Sequence, residues 1–300
     1  MYMKRAFLSV VAALALLPAI ASAQTAFGLT SGGAIFSFNT SAPSTINNLT
    51  LVTGIGTDRL VDIDFYPVNG ALFGFAASGN LYRINPFTGI ATLDVSPQMS
   101  VGTVLRADFN PAADRARLIS AGNQNYRLTP SVQTPGPANP GLVTNDGNFA
   151  FASGSGTGTP NLQGAAYTNN FDGTTTTSLY TVDLNNLYLN SNATGAPAGS
   201  FGLLTLVGSL GITLDPGRIG FDIAQSGIAF LSNNDLLYTV NLQTGAATLA
   251  GTIGGALGAD TISIAVVAIP EPGTNALLAT TAVGALVFFI RRRRSARSAA

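Results

Sequence analysis

The aspartates of the central segment are the side chains best suited to acid–base chemistry. Five of them stand in or beside apolar, strand-like runs, namely Asp62, Asp64, Asp108, Asp114 and Asp222. Two carboxylates at a suitable separation are sufficient for glycoside hydrolysis. A structural role is the alternative, because short polar side chains also cap turns and bond to backbone amides. We expect the structural role for these aspartates, with calcium binding as a further alternative, and assign no catalytic residue.

Residue types that are absent from the chain exclude several mechanisms. There is no His and no Cys, so a Ser-His-Asp triad, a Cys nucleophile and an ordinary zinc site cannot be built. The only lysine is Lys4, which excludes a Schiff base elsewhere in the chain. Residues 24–269 carry seven arginines and thirteen aspartates, a net charge of −6. Such an acidic surface argues against nucleic-acid binding, which needs a cationic footprint.

Calcium is the cofactor that this composition leaves open, because Asp and Asn oxygens are hard ligands. Two clusters of such residues occur at 145–148 (NDGN) and 233–235 (NND). Neither has EF-hand spacing, and the same residue types form tight turns. We therefore expect no cofactor, with Ca²⁺ as the alternative.

Two arginines, Arg115 and Arg117, alternate along a predicted strand and therefore share one face. An acidic sugar is one group that such a pair would bind. We expect instead that the two arginines pair with the repeated aspartates or remain solvated.

An internal repeat provides the elements that position these residues. DFYP at 64–67 recurs as DFNP at 108–111, and LYRINP at 81–86 recurs as NYRLTP at 125–130. Both pairs of motifs keep the same offset, which is stronger evidence than either match alone. The second motif returns as LYTVD at 179–183 and LYTVN at 237–241, with a weaker copy, IFSFN, at 35–39.

Two sets of residues thereby fall at matching places in successive units. We expect the tyrosines to be core residues and the aspartates to be structural, because each set recurs with the unit. The tyrosines are Tyr82, Tyr126, Tyr180 and Tyr238, and the aspartates are Asp64, Asp108 and Asp222.

Each unit is predicted to hold four short strands in about forty-five residues, the size of a propeller blade. Thr-Gly between two apolar runs, as at Gly89 and Gly245, is a hairpin signal, because glycine adopts positive φ freely. A blade buries its faces only against neighbouring blades, so the units are expected to close into a ring.

The prediction is therefore an all-β fold, a single propeller of five four-stranded blades that fills residues 24–269. Six blades is the alternative if residues 147–154 build another. In the first unit, the sequence predicts no strand before Gly32. We expect the spare strand at 261–268 to join the first blade and close the ring.

Several phrases in this region resemble a known family. DFNPAADRARLIS, NYRLTP, GAAYTNN and LYTVNLQTGAATLAG are similar to the DUF4394 domain, a family of unassigned function. The resemblance covers about residues 27–267 and implies a propeller-like fold without catalytic residues to carry over. After Tyr180 the run LNNLYLNSNATGAPAGSFG departs from the tight hairpin of the family, so this blade is expected to be irregular.

The amino terminus has the pattern of a secretory signal peptide. Lys4 and Arg5 form a positive region, residues 6–20 are apolar, and Ala21-Ser22-Ala23 is a small-x-small cleavage site. We expect residues 1–23 to be removed, so that the mature chain begins at Gln24. A first transmembrane helix is the alternative.

The carboxyl terminus has three parts in order, residues 270–272, an uncharged apolar segment at 273–290, and an arginine cluster. The first part is Pro270-Glu271-Pro272, and the cluster consists of Arg291, Arg292, Arg293, Arg294 and Arg297. As a helix, the apolar segment would span roughly 27 Å against a hydrocarbon core of about 30 Å. The arginines would stay in the cytoplasm by the positive-inside rule.

This three-part arrangement resembles the PEP-CTERM sorting signal of Gram-negative bacteria. The resemblance implies that residues 270–300 are read by an exosortase, an inner-membrane enzyme that cleaves near the PEP motif. The protein would be exported, held briefly by the carboxyl-terminal helix, and then released to the cell surface or beyond.

Proteins with this tail are associated with exopolysaccharide and biofilm formation, so the resemblance implies a structural or binding role in an extracellular matrix. The expected partners are an exosortase-like enzyme and an exopolysaccharide, with transient membrane insertion and no nucleic acid. One alternative is a carbohydrate-active enzyme that uses two aspartates in the propeller funnel. Another is a permanently membrane-anchored ectodomain.

Overall fold

The computed structural model describes residues 24–131, 139–254 and 259–267. The predicted signal peptide, the predicted cleavage site up to Ala23, the predicted sorting motif with its apolar segment, and the arginine cluster lie outside these residues. Within the described part, the secondary structure is β-strand and turn. No helix suited to crossing a membrane was found among these residues.

The described residues form strands that we number in chain order. They are β1 (Thr25–Thr30), β2 (Ala34–Asn39), β3 (Ala42–Leu51), β4 (Leu60–Phe65), β5 (Leu72–Ala76), β6 (Leu81–Ile84), β7 (Ala91–Val95), β8 (Val104–Asn110), β9 (Arg115–Ser120), β10 (Gln124–Leu128), β11 (Val143–Asn148), β12 (Ala150–Phe151), β13 (Gly164–Tyr167), β14 (Leu179–Val182), β15 (Asn186–Ser191), β16 (Leu203–Ser209), β17 (Ile219–Ile223), β18 (Ala229–Asn233), β19 (Leu236–Val240), β20 (Ala247–Thr252) and β21 (Thr261–Val266).

These strands build five sheets, which are the blades of a propeller. From the axis outward, blade 1 is β21-β1-β2-β3, blade 2 is β4 to β7, blade 3 is β8 to β11, blade 4 is β13 to β16, and blade 5 is β17 to β20. The innermost strands β4, β8, β13, β17 and β21 contact one another in a closed ring. The prediction of an all-β propeller with five blades is confirmed.

A sixth blade does not form from residues 147–154. Residues 147–148 end β11, and residues 150–151 form β12, which pairs in parallel with the outer strand β16, Ala150 opposite Leu203. The segment therefore adds a fifth strand to blade 4 and links it to blade 3, where β11 ends at Asn148.

The far end of the described chain closes the ring, as the sequence predicted. Strand β21 pairs antiparallel with β1, from Ala26 opposite Val266 to Thr30 opposite Thr261. The expectation that the first unit has no strand before Gly32 was wrong, because β1 ends at Thr30. Blade 1 therefore takes only its innermost strand from the distant segment.

The Thr-Gly hairpins also form as predicted, and their glycines serve two purposes. Asn85 Oδ1 accepts the amides of Phe87 and Thr88, and Gly89 follows at φ 71°. A Cβ at Gly89 would lie 2.3 Å from the carbonyl oxygen of Leu51 in blade 1. The turn therefore needs glycine for its backbone conformation and for close packing between blades.

Blade 4 differs from the register that the sequence predicted. Tyr180 lies on β14, the second strand from the axis. Tyr188 on β15 takes the expected place, because Tyr82, Tyr188 and Tyr238 each follow a register shift on a third strand. The pattern Leu-Tyr-x-apolar suits any half-buried strand. The match between LYTV at 179–182 and LYTV at 237–240 therefore aligned the second strand of blade 4 with the third strand of blade 5.

The hairpin that follows Tyr180 is tight, contrary to expectation. Val182 on β14 pairs with Leu187 on β15, and Asp183 Oδ1 accepts the amides of Asn185 and Asn186 in the turn. The additional residues of this blade lie later, at 192–202, between β15 and β16. The irregular part of blade 4 is therefore this loop.

Aromatic packing between blades forms part of the core. The ring of Tyr66 from blade 2 lies 5.0 Å from the ring of Phe109 on β8, and Phe73 lies 5.4 Å from the same ring. Tyr82, Tyr126 and Tyr238 are at most 9% exposed. Inter-blade packing thus holds the innermost strands in the positions that create the site described below.

Candidate functional site

Three of the predicted aspartates meet on the propeller axis. Asp64, Asp108 and Asp222 lie on the innermost strands β4, β8 and β17. One carboxylate oxygen from each lies within 4.8 Å of the other two. We call Asp64, Asp108 and Asp222 the axial triad.

The triad residues make the same contact from blade to blade. Each carboxylate accepts a backbone amide from the innermost strand of the next blade. The donor–acceptor distances are 2.9 Å from Phe109 N to Asp64, 2.6 Å from Tyr167 N to Asp108, and 2.5 Å from Val266 N to Asp222. These bonds tie neighbouring blades together at the axis.

The remaining two blades carry alanine where the triad residues stand. The amides that bind the triad carboxylates belong to the residues immediately after Asp108, Ala166 and Ala265. Asp108, Ala166 and Ala265 therefore occupy the same position in their blades. Ala166 and Ala265 are fully buried. The axial ring therefore holds three carboxyl groups and two methyl groups.

The three carboxyl groups differ in their remaining hydrogen bonds. Asp64 Oδ1 accepts the amide of Phe65 at 2.7 Å, so both of its oxygens are bonded. Asp222 Oδ1 has no hydrogen-bond partner, although it is buried. The amide of Ile223 is close enough to lower the pKa of Asp222, but it makes no bond of normal geometry to Oδ1. Asp222 is thus incompletely satisfied.

Burial and mutual repulsion disfavour full ionisation of the triad. Burial raises the pKa of Asp64 to about 6. Burial, followed by the charge of Asp64, raises the pKa of Asp108 and of Asp222 well above the usual range. Three like charges in one buried space are unfavourable unless a cation or a proton compensates them.

A second layer of polar side chains lies two residues before the triad on the same strands. Asp62 accepts the hydroxyl of Ser263 and, at 2.9 Å, the amide of Ala107. Arg106 donates to the carbonyls of Gln163 and, at 2.6 Å, Leu105. Burial raises the pKa of Asp62 to about 6, and the positive charge of Arg106 offsets part of that effect.

A small cavity marks the mouth of the axis at this layer. It has a volume of about 200 Å³ and is lined by residues from every blade. The lining includes Val61, Arg106, Leu162, Gly217 and Ile262. Pockets for drug-sized ligands are typically about 300–1,000 Å³, so this cavity suits water or a small ion.

A second buried charge cluster lies where blade 3 meets blade 4. Arg117, 1% exposed, donates to Asp146 Oδ2 at 2.8 Å, to the hydroxyl of Tyr167 at 3.0 Å, and to the carbonyl of Gly199 at 2.6 Å. Arg127 binds both oxygens of Asp146, at 2.6 and 2.7 Å. We call Arg117, Arg127 and Asp146 the junction cluster.

The junction cluster corrects one expectation about arginine. Arg117 pairs with Asp146 and not with a repeated aspartate, and it is not solvated. Sequence spacing could not show this, because the contact to Gly199 depends on how the 192–202 loop folds back. Arg115 is half-buried and donates to the carbonyl of Asp114 at 3.0 Å.

The polar clusters at residues 145–148 and 233–235, which we considered as calcium sites, have other roles. In residues 145–148, the carboxylate of Asp146 is occupied by two arginines. In residues 233–235, Asn234 has a φ of 53° in the turn between β18 and β19, and Asn233 Oδ1 accepts the amide of Asp215. Both arrangements are explained by pairing or by turn formation.

The fifth predicted aspartate, Asp114, lies away from the axis. It stands in the turn between β8 and β9 with a φ of 50°, next to the hydroxyl of Tyr66. The repeat in the sequence already grouped Asp64, Asp108 and Asp222, because they occupy the same position in successive units. The convergence of their carboxylates could not be read from the sequence.

Searches of known proteins define what the chain is similar to. No curated protein matches it. Solved structures that it resembles include the extracellular domain of a hybrid two-component system from B. thetaiotaomicron, with 12% identity and a TM-score of 0.35. That match covers 78% of this chain but only 28% of the other, so the chain spans less than a third of that protein.

A protein from Lactobacillus plantarum is similar at 14% identity and a TM-score of 0.38, over 77% of this chain and 67% of that one. A family model gives the clearer assignment. The model for a domain of unknown function, DUF4394, matches residues 34–265, which begin in β2 and end in β21. The chain therefore belongs to the DUF4394 family.

Proposed function

We propose that this protein is an exported, non-catalytic propeller that serves as a structural or binding module at the cell surface or in an extracellular matrix. The observation that carries the proposal is the bonding of the axial aspartates. Each of them accepts a backbone amide from the next blade, and all are at most 4% exposed. Carboxylates used in this way hold the ring together.

The rival function, hydrolysis of a polysaccharide by two aspartates in the funnel, is less well supported. A glycosidase needs its two carboxyl groups on opposite sides of a bound sugar, about 5–5.5 Å or about 6.5–9.5 Å apart. The triad oxygens lie within 4.8 Å of one another and are closed off by blade contacts. A cavity of about 200 Å³ at the axis mouth leaves little room for a sugar chain.

Export and sorting are supported by the two ends of the sequence. The small-x-small site before Gln24, the Pro270-Glu271-Pro272 motif and the arginines that follow the apolar segment fit delivery by an exosortase-type system. Exopolysaccharide is the proposed matrix partner. An ectodomain that keeps its carboxyl-terminal anchor is the second candidate, supported by the length of the apolar segment at 273–290.

The structural role is tested by replacing Asp64 or Asp108 with asparagine. We expect a lower melting temperature and no polysaccharide cleavage by either wild type or variant in a reducing-sugar assay. Asp172→Asn is the matched control, because Asp172 is exposed on a loop. Cleavage by the wild type that Asp64→Asn abolishes without changing the melting temperature would support the enzyme instead.

The sorting proposal has a separate test. The protein is expressed in a Gram-negative host with an exosortase, the cells are fractionated, and the intact mass of the product is measured. A species from Gln24 to near Pro270 in the extracellular fraction is expected. A product that keeps residues 273–300 and stays in the inner membrane would favour the anchored ectodomain.

A further inference from the structure

The axial triad contains an acceptor without a donor. Asp222 Oδ1 is buried and makes no hydrogen bond, while Oδ2 of the same carboxylate is held by Val266 N. A buried oxygen in this state is destabilising unless another group binds it. One carboxylate oxygen of Asp222 lies within 4.8 Å of one from Asp64 and one from Asp108, and like charges at that separation repel.

No cationic side chain compensates the triad in the described part of the chain. The ion pairs there join Arg117 and Arg127 to Asp146, and Arg218 to Asp260. Arg106, the nearby arginine, lies in the layer of Asp62 and donates to backbone carbonyls. The charge of the triad is therefore balanced either by protons on the carboxyl groups or by a cation that is not one of these side chains.

We propose that Asp64, Asp108 and Asp222 bind one divalent cation of the calcium class on the propeller axis. The site is all oxygen, which suits a hard cation. Calcium–oxygen bonds of about 2.3–2.6 Å let two ligands of one ion stand up to about 5 Å apart. The triad oxygens, within 4.8 Å of one another, meet that limit.

The arrangement favours calcium over magnesium. Magnesium requires near-octahedral ligands at about 2.0–2.1 Å, and the amide bonds to Phe109, Tyr167 and Val266 limit how far the carboxylates can rearrange to supply that geometry. Calcium tolerates longer and less regular coordination. Ala166 and Ala265 provide no side-chain oxygen, so water would complete the ligand set.

A bound ion would give the triad carboxylates a second way to hold the blades together. Its ligands come from blades 2, 3 and 5, so one ion would join three innermost strands. It would also bind Asp222 Oδ1, the oxygen that lacks a partner. The sequence left calcium open at residues 145–148, at residues 233–235 and at the repeated aspartates, and this site uses the repeated aspartates on the axis.

The experiment uses the full chain in detergent. It is unfolded in guanidinium with EDTA, because the buried site would exchange slowly, and refolded in metal-free buffer with or without CaCl₂. Equilibrium dialysis with ⁴⁵Ca²⁺ measures the stoichiometry, and thermal melting measures the stabilisation. We expect one ion per chain and a melting temperature raised by about 5–10 °C at a hundredfold excess over Kd.

Asp222→Asn is the informative variant, because its amide oxygen can still accept Val266 N. It should lose the calcium-dependent shift and at least tenfold in affinity, while Asp172→Asn keeps both. If Asp222→Asn fails to fold, Asp108→Asn replaces it, and the wild-type stoichiometry still decides. The proposal is overturned if the wild type binds no calcium, or if Asp222→Asn binds it as the wild type does.

Discussion

Buried acidic side chains occur in two parts of this propeller, and the two parts differ in whether arginines bind the carboxylates. In the junction cluster, Asp146 is bound by Arg117 and Arg127, and its side chain is completely buried. In the axial triad, Asp64, Asp108 and Asp222 face one another with no arginine bound to them in the described residues. Both clusters join neighbouring blades.

The difference follows from the positions of the two clusters in the repeat. The triad occupies one place in the blade, so the ring brings like residues together, and like charges converge by symmetry. The junction cluster is a single contact between blade 3 and the 192–202 loop of blade 4, where unlike residues meet. A repeat therefore produces repulsion at its axis unless a proton or a cation compensates it.

The largest expected effect tests the axis by pH in the presence of EDTA. Asp62 and Asp64 have pKa values raised to about 6 by burial, from an ordinary value of 3.8. Folded protein thus binds more protons than unfolded protein between about pH 4 and pH 6, so its stability falls as pH rises through that window. A shift of about two units corresponds to about 3 kcal/mol for each group.

Urea denaturation from pH 4 to pH 7.5 measures this dependence. Arg106 faces Asp62, and Asp108 and Asp222 face Asp64, so the groups titrate as a coupled set. Calcium at saturating concentration should flatten the curve. Stability that instead rises from pH 4 to pH 7 in EDTA would show that the axis is already compensated.

The second prediction tests the junction cluster. Arg117→Met removes one cation from Asp146 and leaves the hydroxyl of Tyr167 and the carbonyl of Gly199 without their donor. Breaking a buried pair in this way typically destabilises by about 3–5 kcal/mol. The free energy of unfolding in urea measures the loss, which should vary little with calcium.

Arg83→Met is the matched control for the junction. Arg83 stands on β6, one residue after Tyr82, as Arg127 follows Tyr126 on β10, but its side chain is exposed. We expect a change of at most about 0.5 kcal/mol. An equal loss in both variants would mean that the effect of Arg117 does not come from burial of its ion pair.

The third prediction separates two members of the triad in EDTA. Asp64 uses both oxygens as acceptors, so Asp64→Asn places an amide nitrogen against the N–H of Phe65 or Phe109. A loss of about 1–3 kcal/mol is expected. Asp222→Asn keeps its single accepted bond, and Oδ1 has no hydrogen bond of normal geometry to lose, so we expect a smaller loss than for Asp64→Asn, or none.

Thermal melting of the two variants and the wild type measures the size and direction of each change in stability. Opposite or clearly unequal effects would confirm that Asp222 Oδ1 is the weak point of the metal-free axis. Equal losses in both variants would contradict that interpretation, since they would imply that Asp222 is as fully bonded as Asp64.

The repeat made much of the fold predictable, and the reasons can be seen in particular residues. Asp64 and Asp108 keep the same offset as Tyr82 and Tyr126, because every blade repeats one hydrogen-bonding pattern. The closure by β21 followed from the need of a ring to have no free edge. Tyr180 was placed wrongly because period-two patterns do not distinguish the second strand of a blade from the third.

The candidate site was less predictable for a physical reason. Equivalence of Asp64, Asp108 and Asp222 was readable, but the distance between their oxygens depends on the number of blades and on their packing. The pairing of Arg117 with Asp146 was hidden further, because nothing local links β9 to β11 or to Gly199. Non-local contacts of this kind leave no periodic signal in the sequence.

The smallest expected effect concerns an aromatic ring at the junction. The guanidinium of Arg117 lies 5.9 Å from the ring centre of Phe201, and Tyr167 packs edge-on against the same ring at 5.7 Å. Phe201→Leu removes both interactions, and we expect a loss of about 1–2 kcal/mol. Leucine keeps most of the apolar volume, so the loss measures mainly the aromatic contribution. Urea denaturation measures it.

Phe87→Leu is the control for this ring, since Phe87 is 72% exposed and should change stability little. Combining Phe201→Leu with Arg117→Met gives a double-mutant cycle. If the ring acts through the arginine, the combined loss should be smaller than the sum of the single losses. Additive losses would mean that Phe201 only packs the loop, and that Asp146 alone balances the charge of Arg117.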